Sequence, residues 1–585
     1  MRRGVGLVVL LLLAAVALSA IGMAALMLMA GAEPAVSPGS VLVQRVGDDL
    51  PEHTGGTVFE SLADTRQETL VQVVENLRKA KADSRVSSVV VSPANLTAPY
   101  WAKLQEVRDA IVDFRRSGKK AVAFLEYGGD REYFIASACD QIFLLPTSPL
   151  DLRGLATYDL FLRGTLDKIG AYADFSRIGD YKTAPNQLTE TGYTPAHRDM
   201  RLSLNRDLYD QLITAIAEGR RKPVGEVRRL LDEGPFLPEE ALRAGLVDAV
   251  AYEDELDDKV ELSAQKKFTR LDGRRYADVS LSSVGLGGGP KIAVLYAVGA
   301  IVSGRSGIDP LNGPVVGSDT LVEHIRTVRA DKSVRAIVVR VDSPGGSSVA
   351  SDVIWRELRL TAEGAGARPV VASMSDLAAS GGYYIAMAAG DIVAQPATLT
   401  GSIGIYAGKI VMGGTYEKLG MGIESLSEGR SADMYSPVRP FSQHERAKLD
   451  EQLQAFYAQF IEKVAVARRM SPDEVDGVAR GRVWTGRQAK EIGLVDELGG
   501  LDRAVALAKE RAKIPASQEV ELVVYPRRKS LYQLLAEQFG LESRLAWPAV
   551  LLRESDRRAV GALSAPWRLF REGEPLALMP YVIVR

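Results

Sequence analysis

Two halves of this chain match each other at a nearly fixed interval, which restricts the folds open to it before any single residue is considered. Tyr384-Ile385-Ala386 lies opposite Phe134-Ile135-Ala136, and Lys418-Leu419-Gly420 opposite Lys168-Ile169-Gly170, both at an offset of 250 (384 − 134 and 418 − 168). Gly493-Leu494-Val495-Asp496 answers Gly245-Leu246-Val247-Asp248 at an offset of 248. Self-similarity on this scale implies two domains of one fold rather than one enlarged core, and 585 residues leave room for both. In the first copy, strand-like runs at 40–45, 87–91 and 120–125 alternate with helical patterns at 70–81 and 101–117. That alternation marks parallel βαβ units and an α/β fold. The expected organisation is a first domain over 40–265, a polar and then Gly-rich linker over 266–290, a second domain over 291–515, and an extension over 516–585 whose stretch 530–541 has an amphipathic pattern.

Residues 1–32 belong to neither copy. Met1-Arg2-Arg3 precedes 26 residues, 4–29, that carry no charge and are rich in Leu, Ala, Val and Met. A bilayer core needs about 20 apolar residues and a secretory signal about 7–15, so this segment reads as a cytoplasmic N-terminus followed by a transmembrane anchor. Ala30-Gly31-Ala32 resembles a cleavage site, which keeps a removed signal peptide as the competing reading. Arg2 and Arg3 precede the span and Glu33 is the first charge after it. That asymmetry orients the chain as a single-pass protein with its bulk on the extracytoplasmic side, which is the periplasmic side if the membrane is a cell inner membrane. With 72 basic and 74 acidic residues the net charge is −2, so no footprint for nucleic acid is visible. Cys139 is the single cysteine, and His53, His197, His324 and His444 have no ligand spacing, so neither a disulfide nor a metal or other cofactor is expected.

The chemistry concentrates between Ala372 and Tyr406. An apolar run at 369–372 ends in small polar residues and a helix-compatible stretch at 382–389 comes next, which puts Ser380 at a strand-to-helix turn. There a hydroxyl can be exposed beside free helical N–H groups, and Gly381 and Gly382 leave those groups open to an oxyanion. A serine before two glycines is also an ordinary helix N-cap. The repeat weighs against that plain reading: Ser380 maps at offset 250 to Asp130, whereas Lys182 maps to Ala432. Each half lacks what the other has, as expected of one composite site. A serine nucleophile needs a base, no histidine stands in a motif beside it, and a lysine serves only when burial holds it neutral. Lys182 sits among Tyr181, Thr183, Ala184 and Pro185, with Asp180 opposing neutrality if it turned inward. Oxyanion donors are expected from Gly381 and from Gly345-Gly346 of Asp342-Ser343-Pro344-Gly345-Gly346, Gly346 being favoured, at the C-terminal end of a strand where α/β sheets form ligand crevices. Ser402, in Thr400-Gly401-Ser402-Ile403-Gly404, adds a hydroxyl able to hold the lysine.

Asp-Ser-Pro-Gly-Gly, Ala-Ala-Ser-Gly-Gly-Tyr-Tyr-Ile-Ala, Thr-Gly-Ser-Ile-Gly and Gly-Asp-Tyr-Lys-Thr-Ala, in this chain, together resemble the signal peptide peptidase A (protease IV) family in its long, tandem-duplicated form, over about 40–513. The resemblance implies two crotonase-like, Clp-type domains after the transmembrane helix, a Ser/Lys dyad, cleavage of remnant signal peptides at the membrane, and a homo-oligomer, a tetramer in the family. It makes Ser380 the nucleophile, Lys182 the general base and Ser402 the partner of that lysine, with Gly346, Gly381 and Gly345 as oxyanion and substrate contacts. The chain departs after the lysine, reading Thr183-Ala184-Pro185-Asn186 where the family has Ser-Ala and an acidic-Pro-Phe segment, a difference in the substrate groove rather than the base. A membrane-anchored serine endopeptidase acting on apolar peptides is therefore expected, without cofactor or nucleic acid. The rivals are a crotonase-type acyl-thioester enzyme, which builds similar oxyanion holes, and an inactive scaffold of the same fold.

Overall fold

The computed structural model of the protein describes residues 33–48, 50–52, 68–96, 100–264, 269–309, 313–364, 366–527, 569–570, 574–580 and 583–584. The expected anchor at 4–29 and the amphipathic stretch 530–541 lie outside these. Among the described residues, no helix is long and apolar enough to cross a membrane.

Two parallel sheets carry one strand order twice. The first runs Arg270–Asp272, Ser40–Asp48, Val86–Leu96, Lys120–Leu125, Gln141–Leu144, Ala249–Val250. The second runs Glu521–Tyr525, Lys291–Val298, Val334–Ser343, Val370–Ala379, Asp391–Ala394, Glu497–Leu498. Val89-Val90-Val91 and Ile337-Val338-Val339 are buried, as strands covered by other elements on both faces require. Burying each such side chain contributes roughly 1.5–3 kcal/mol. Helix Leu70–Ala82 starts from a capping box of Thr69 and Gln72, and its Leu70, Val73, Leu77 and Ala80 join the first core.

The stretch expected as a linker is more than a tether. Arg270–Asp272 forms the edge of the first sheet beside Ser40–Asp48, and helix Gly273–Ala277 comes directly after it. Its counterpart in the C-terminal extension, Glu521–Tyr525, edges the second sheet beside Lys291–Val298. Strands this short show no hydrophobic period, so their pairing is set by the sheet and not by their own pattern.

A third sheet joins the halves. It runs Gly307–Asp309, Gly313–Gly317, Ala300–Val302, Gly345–Ser347, Leu576–Leu578, Ile405–Val411, Tyr172–Ile178. The last of these comes from the first half and pairs antiparallel with Ile405–Val411 from Ile405 opposite Ile178 to Val411 opposite Tyr172. That register carries the chain beyond Ile178 toward Ser402 and Gly404.

Candidate active site

Ser380 stands between strand Val370–Ala379 and helix Gly381–Ala386, in the N-cap position, yet its side chain makes no capping hydrogen bond. Its φ of 57° lies in the left-handed region, which for a residue other than glycine costs on the order of 1–3 kcal/mol. The turn is held by main chain: Ser380 N–H donates to Gly401 O at 2.8 Å, and Tyr384 N–H donates to Ser380 O at 2.8 Å. The hydroxyl is left for another partner.

That partner is Lys182. Its Nζ lies 2.7 Å from Ser380 Oγ, 2.9 Å from Ser402 O and 3.1 Å from Ser402 Oγ. Lys182, Ser380 and Ser402 are all buried, and Ser402 also has a positive φ, 50°. The lysine stem threads between backbones of the second half: a Cβ added to Gly481 would lie 2.3 Å from Lys182 N, and one added to Gly404 would lie 3.2 Å from its Cδ. Tyr181 N–H donates to Arg480 O at 3.0 Å, fixing the loop just before the lysine. Burial pushes the Lys182 ammonium well below the ordinary lysine value, and no charge partner offsets it. Asp180, the carboxylate that could have opposed this, turns outward toward Arg480 at 3.6 Å.

The glycine turn closes over the same place. A Cβ on Gly381 would fall 3.1 Å from Gly346 N, and one on Gly345 would fall 2.7 Å from Gly381 N, so only bare backbone fits between these segments. Gly345 has φ 101° and Gly346 φ 154°, conformations that favour glycine. Ser380, Gly381, Gly345, Gly346, Lys182 and Ser402 thus converge in one chain. In the first half the equivalent ground is filled by carboxylates. Asp130 accepts the N–H groups of Arg153 and Gly154, each at 3.2 Å, and Glu132 accepts that of Leu96 at 2.9 Å, at the matching strand end. Backbone donors at this end of the sheet bind carboxyl oxygens, and here the protein supplies its own.

The sequence profile of Peptidase family S49 matches residues 113–267 and again 363–515. The chain belongs to peptidase family S49. It is a serine endopeptidase of that family, with the family domain present twice. The S49 chain is 35% identical over 497 residues to Serine protease SPPA, chloroplastic, of Arabidopsis thaliana, covering 84% of this chain and 72% of that one. It is 35% identical over 473 residues to Protease 4 of Salmonella typhi (79% and 75% covered) and 28% identical over 469 to Protease 4 of Haemophilus influenzae (76% and 73%). A ClpP1 mutant from Listeria monocytogenes superposes on 36% of this chain and 94% of its own at 14% identity, with a TM-score of 0.24 that bears no weight.

Sequence reasoning missed Gly481, which lets the Lys182 backbone approach; the Arg480-Gly481 pair of positive φ values is visible from structure alone. It also missed the C-terminal strand. Leu576–Leu578 pairs antiparallel with Gly345–Ser347 and touches Tyr406 of the strand beyond, while Met579 N–H donates to Pro344 O at 2.8 Å. Met579 packs with Tyr100, Met200, Leu204, Ala379, Leu399 and Val483, immediately before Ser380. Leu576 and Leu578 face the opposite way, toward Val302, Tyr406 and Phe570.

Proposed function

We propose that Ser380 is the nucleophile and Lys182 the general base of a Ser/Lys dyad with which this peptidase cleaves apolar peptides, remnant signal peptides among them, at a membrane. The observation that carries the reading is the 2.7 Å approach of Lys182 Nζ to Ser380 Oγ in a buried setting without a carboxylate. The neutral amine takes the hydroxyl proton as Oγ bonds to the scissile carbonyl carbon. The carbonyl electron pair moves to oxygen, and the oxyanion is received by the N–H groups of Gly381 and Gly346. Collapse expels the amine, which receives the proton from the Lys182 ammonium, and leaves an ester on Ser380. Water then attacks that ester, giving its proton to the same lysine, and the second peptide departs from the regenerated serine. Ser402 O and Oγ hold Nζ so that its lone pair faces Ser380.

A peptide substrate, rather than an acyl thioester, is supported by the slot between Gly345–Ser347 and Ile405–Val411, which already takes an extended main chain, Leu576–Leu578. Strand addition of this kind supplies affinity from the main chain and selectivity from alternate side chains. The crotonase-like, Clp-type form of the two domains is part of the same reading. So is the anchor, supported by the 26 uncharged residues 4–29 behind Arg2-Arg3. Self-association into a homo-oligomer is supported by the exposed apolar side chains of Leu419, Met421, Ile423 and Leu426 in the second half. The test is a serine-reactive fluorophosphonate with peptide mapping: the label is expected on Ser380 and absent from Ser380→Ala. Equal labelling of Ser380→Ala would refute the assignment.

A further inference from the structure

Lys182 is not the only lysine of the first half that is buried against the second. Lys103 lies in the first turn of helix Ala102–Arg115 and is almost wholly buried against the second half. Its Nζ is 2.8 Å from Asp342 Oδ2 and 3.9 Å from Asp376 Oδ2, while its backbone N–H donates to Asp376 Oδ1 at 3.0 Å. Both carboxylates stand at the strand ends that form the site. Asp342 directly precedes Ser343-Pro344-Gly345-Gly346, and its Oδ1 accepts Leu377 N–H at 3.1 Å. Asp376 lies in the strand that ends just before Ser380.

The pairing of those two strands is irregular at this point. Val341 pairs with Met374 but Ser343 pairs with Ala378, so Ser375-Asp376-Leu377 stands opposite Asp342 alone. An insertion of this type re-aims the residues just beyond it in the chain, Ser380 among them. A bulge has lost ladder bonds and needs side chains to fix it, and here the first half supplies two of them, Lys103 and Glu52. Lys103 binds Asp376 and Asp342, one on each strand. Glu52 binds Ser375 Oγ and pairs with Arg340, which lies under the bulge and reaches Ser375 Oγ at 3.2 Å and Glu106 at 2.7 Å. Thr398 Oγ1 donates to Ser375 O at 2.7 Å from the remaining side. Burial alone would lower the Lys103 ammonium, but Asp342 and Asp376 hold it above the ordinary lysine range, so it is a fixed cation.

We propose that Lys103 is a positioning residue for catalysis: by clamping Asp342 and Asp376 it sets the register between the glycine turn that receives the oxyanion and the strand end that aims Ser380. The proposal rests on the reading of Ser380 as nucleophile and deepens it. The distinctive consequence is a loss in turnover and not in binding, since Lys103 touches neither the slot nor the dyad. A misplacement of about 1 Å in a reacting group costs on the order of a hundredfold in rate.

The test uses the full chain and a chromogenic peptide substrate. In Lys103→Met, kcat is expected to fall about a hundredfold with KM within about threefold, and the rate of fluorophosphonate labelling to fall with kcat. Lys103→Arg, which keeps the cation, is expected to recover most of that loss. Because Lys103→Met strands two buried carboxylates and can unfold, Lys103→Met/Asp342→Asn/Asp376→Asn is measured beside it; it leaves neither carboxylate unpaired, and its kcat is expected to stay low. A wild-type kcat per folded molecule in either Lys103→Met or the triple variant overturns the proposal, as does failure of Lys103→Arg to exceed Lys103→Met. Ser380→Ala separates the two readings: if it retains activity the nucleophile assignment fails, whereas an inactive Ser380→Ala beside a fully active Lys103→Met defeats only the role of Lys103.

Discussion

A lysine that is buried without a carboxylate has consequences that can be read at the level of the single residue. As the proposed general base Lys182 must be neutral to act, so hydrolysis is expected to fall on the acid side along one limb, as protonation fills the amine below its lowered pKa. A pH–rate profile of kcat/KM checks this, and an acid limb belonging to one group is the expected outcome. Stability carries the same sign. The folded pKa lies below the unfolded one, so between the two the unfolded chain binds the extra proton and stability rises with pH. Lys182→Met is expected to lose that rise and to melt at a higher temperature than the wild type near neutral pH, by calorimetry, while losing at least about 10³-fold in hydrolysis. Lys182→Arg fails as badly, since guanidinium cannot accept the proton. Ser402→Ala removes one of the two Ser402 oxygens on Nζ and is expected to cost about five- to tenfold in kcat, the worth of roughly one net hydrogen bond. The meeting of Ser380 and Lys182 was legible because each is missing from the other copy at the same register. The role of Lys103 was not, because a lysine in the first turn of a helix reads as solvated, and its partners lie 239 and 273 residues away in sequence (342 − 103 and 376 − 103).

Among the elements, the strands and helices of the two copies arise from alternating apolar runs, and the strand-to-helix turn at Ser380 from small residues after such a run. The edge strands and the third sheet have no such signal. Arg270–Asp272 and Leu576–Leu578 are three residues each, and what defines them is the partner they meet. The position of Leu576–Leu578 has a direct consequence, since it fills the slot proposed for substrate and seats Met579 beside Ala379. A chain ending after residue 527 is expected to cleave peptides with a lower KM than the full chain, and a synthetic peptide of residues 574–580 to inhibit it competitively. Unchanged KM in the shortened chain, with its melting temperature retained, would place substrate elsewhere.

The molecule as a whole carries the family domain twice, and Lys182 of the first half meets Ser380 of the second. The strand Tyr172–Ile178, by which the first copy joins the second, has its counterpart at offset 250 in residues 422–428, which form no strand and are exposed, Leu426 fully so. Ile423 and Leu426, left open at the place where the twin strand is paired, together with exposed Leu419 and Met421 just before them, fit a second copy of the chain. Light scattering is expected to give an oligomer for the full chain and a smaller species for Leu426→Asp. The dyad does not wait on that assembly, because Lys182 and Ser380 meet within one chain. Peptide hydrolysis by Lys182→Met, by Ser380→Ala and by an equimolar mixture of the two tests this most directly. The structure predicts that both variants and their mixture are inactive; near-normal turnover by Lys182→Met, or activity recovered on mixing, would contradict a lysine and serine joined in one chain.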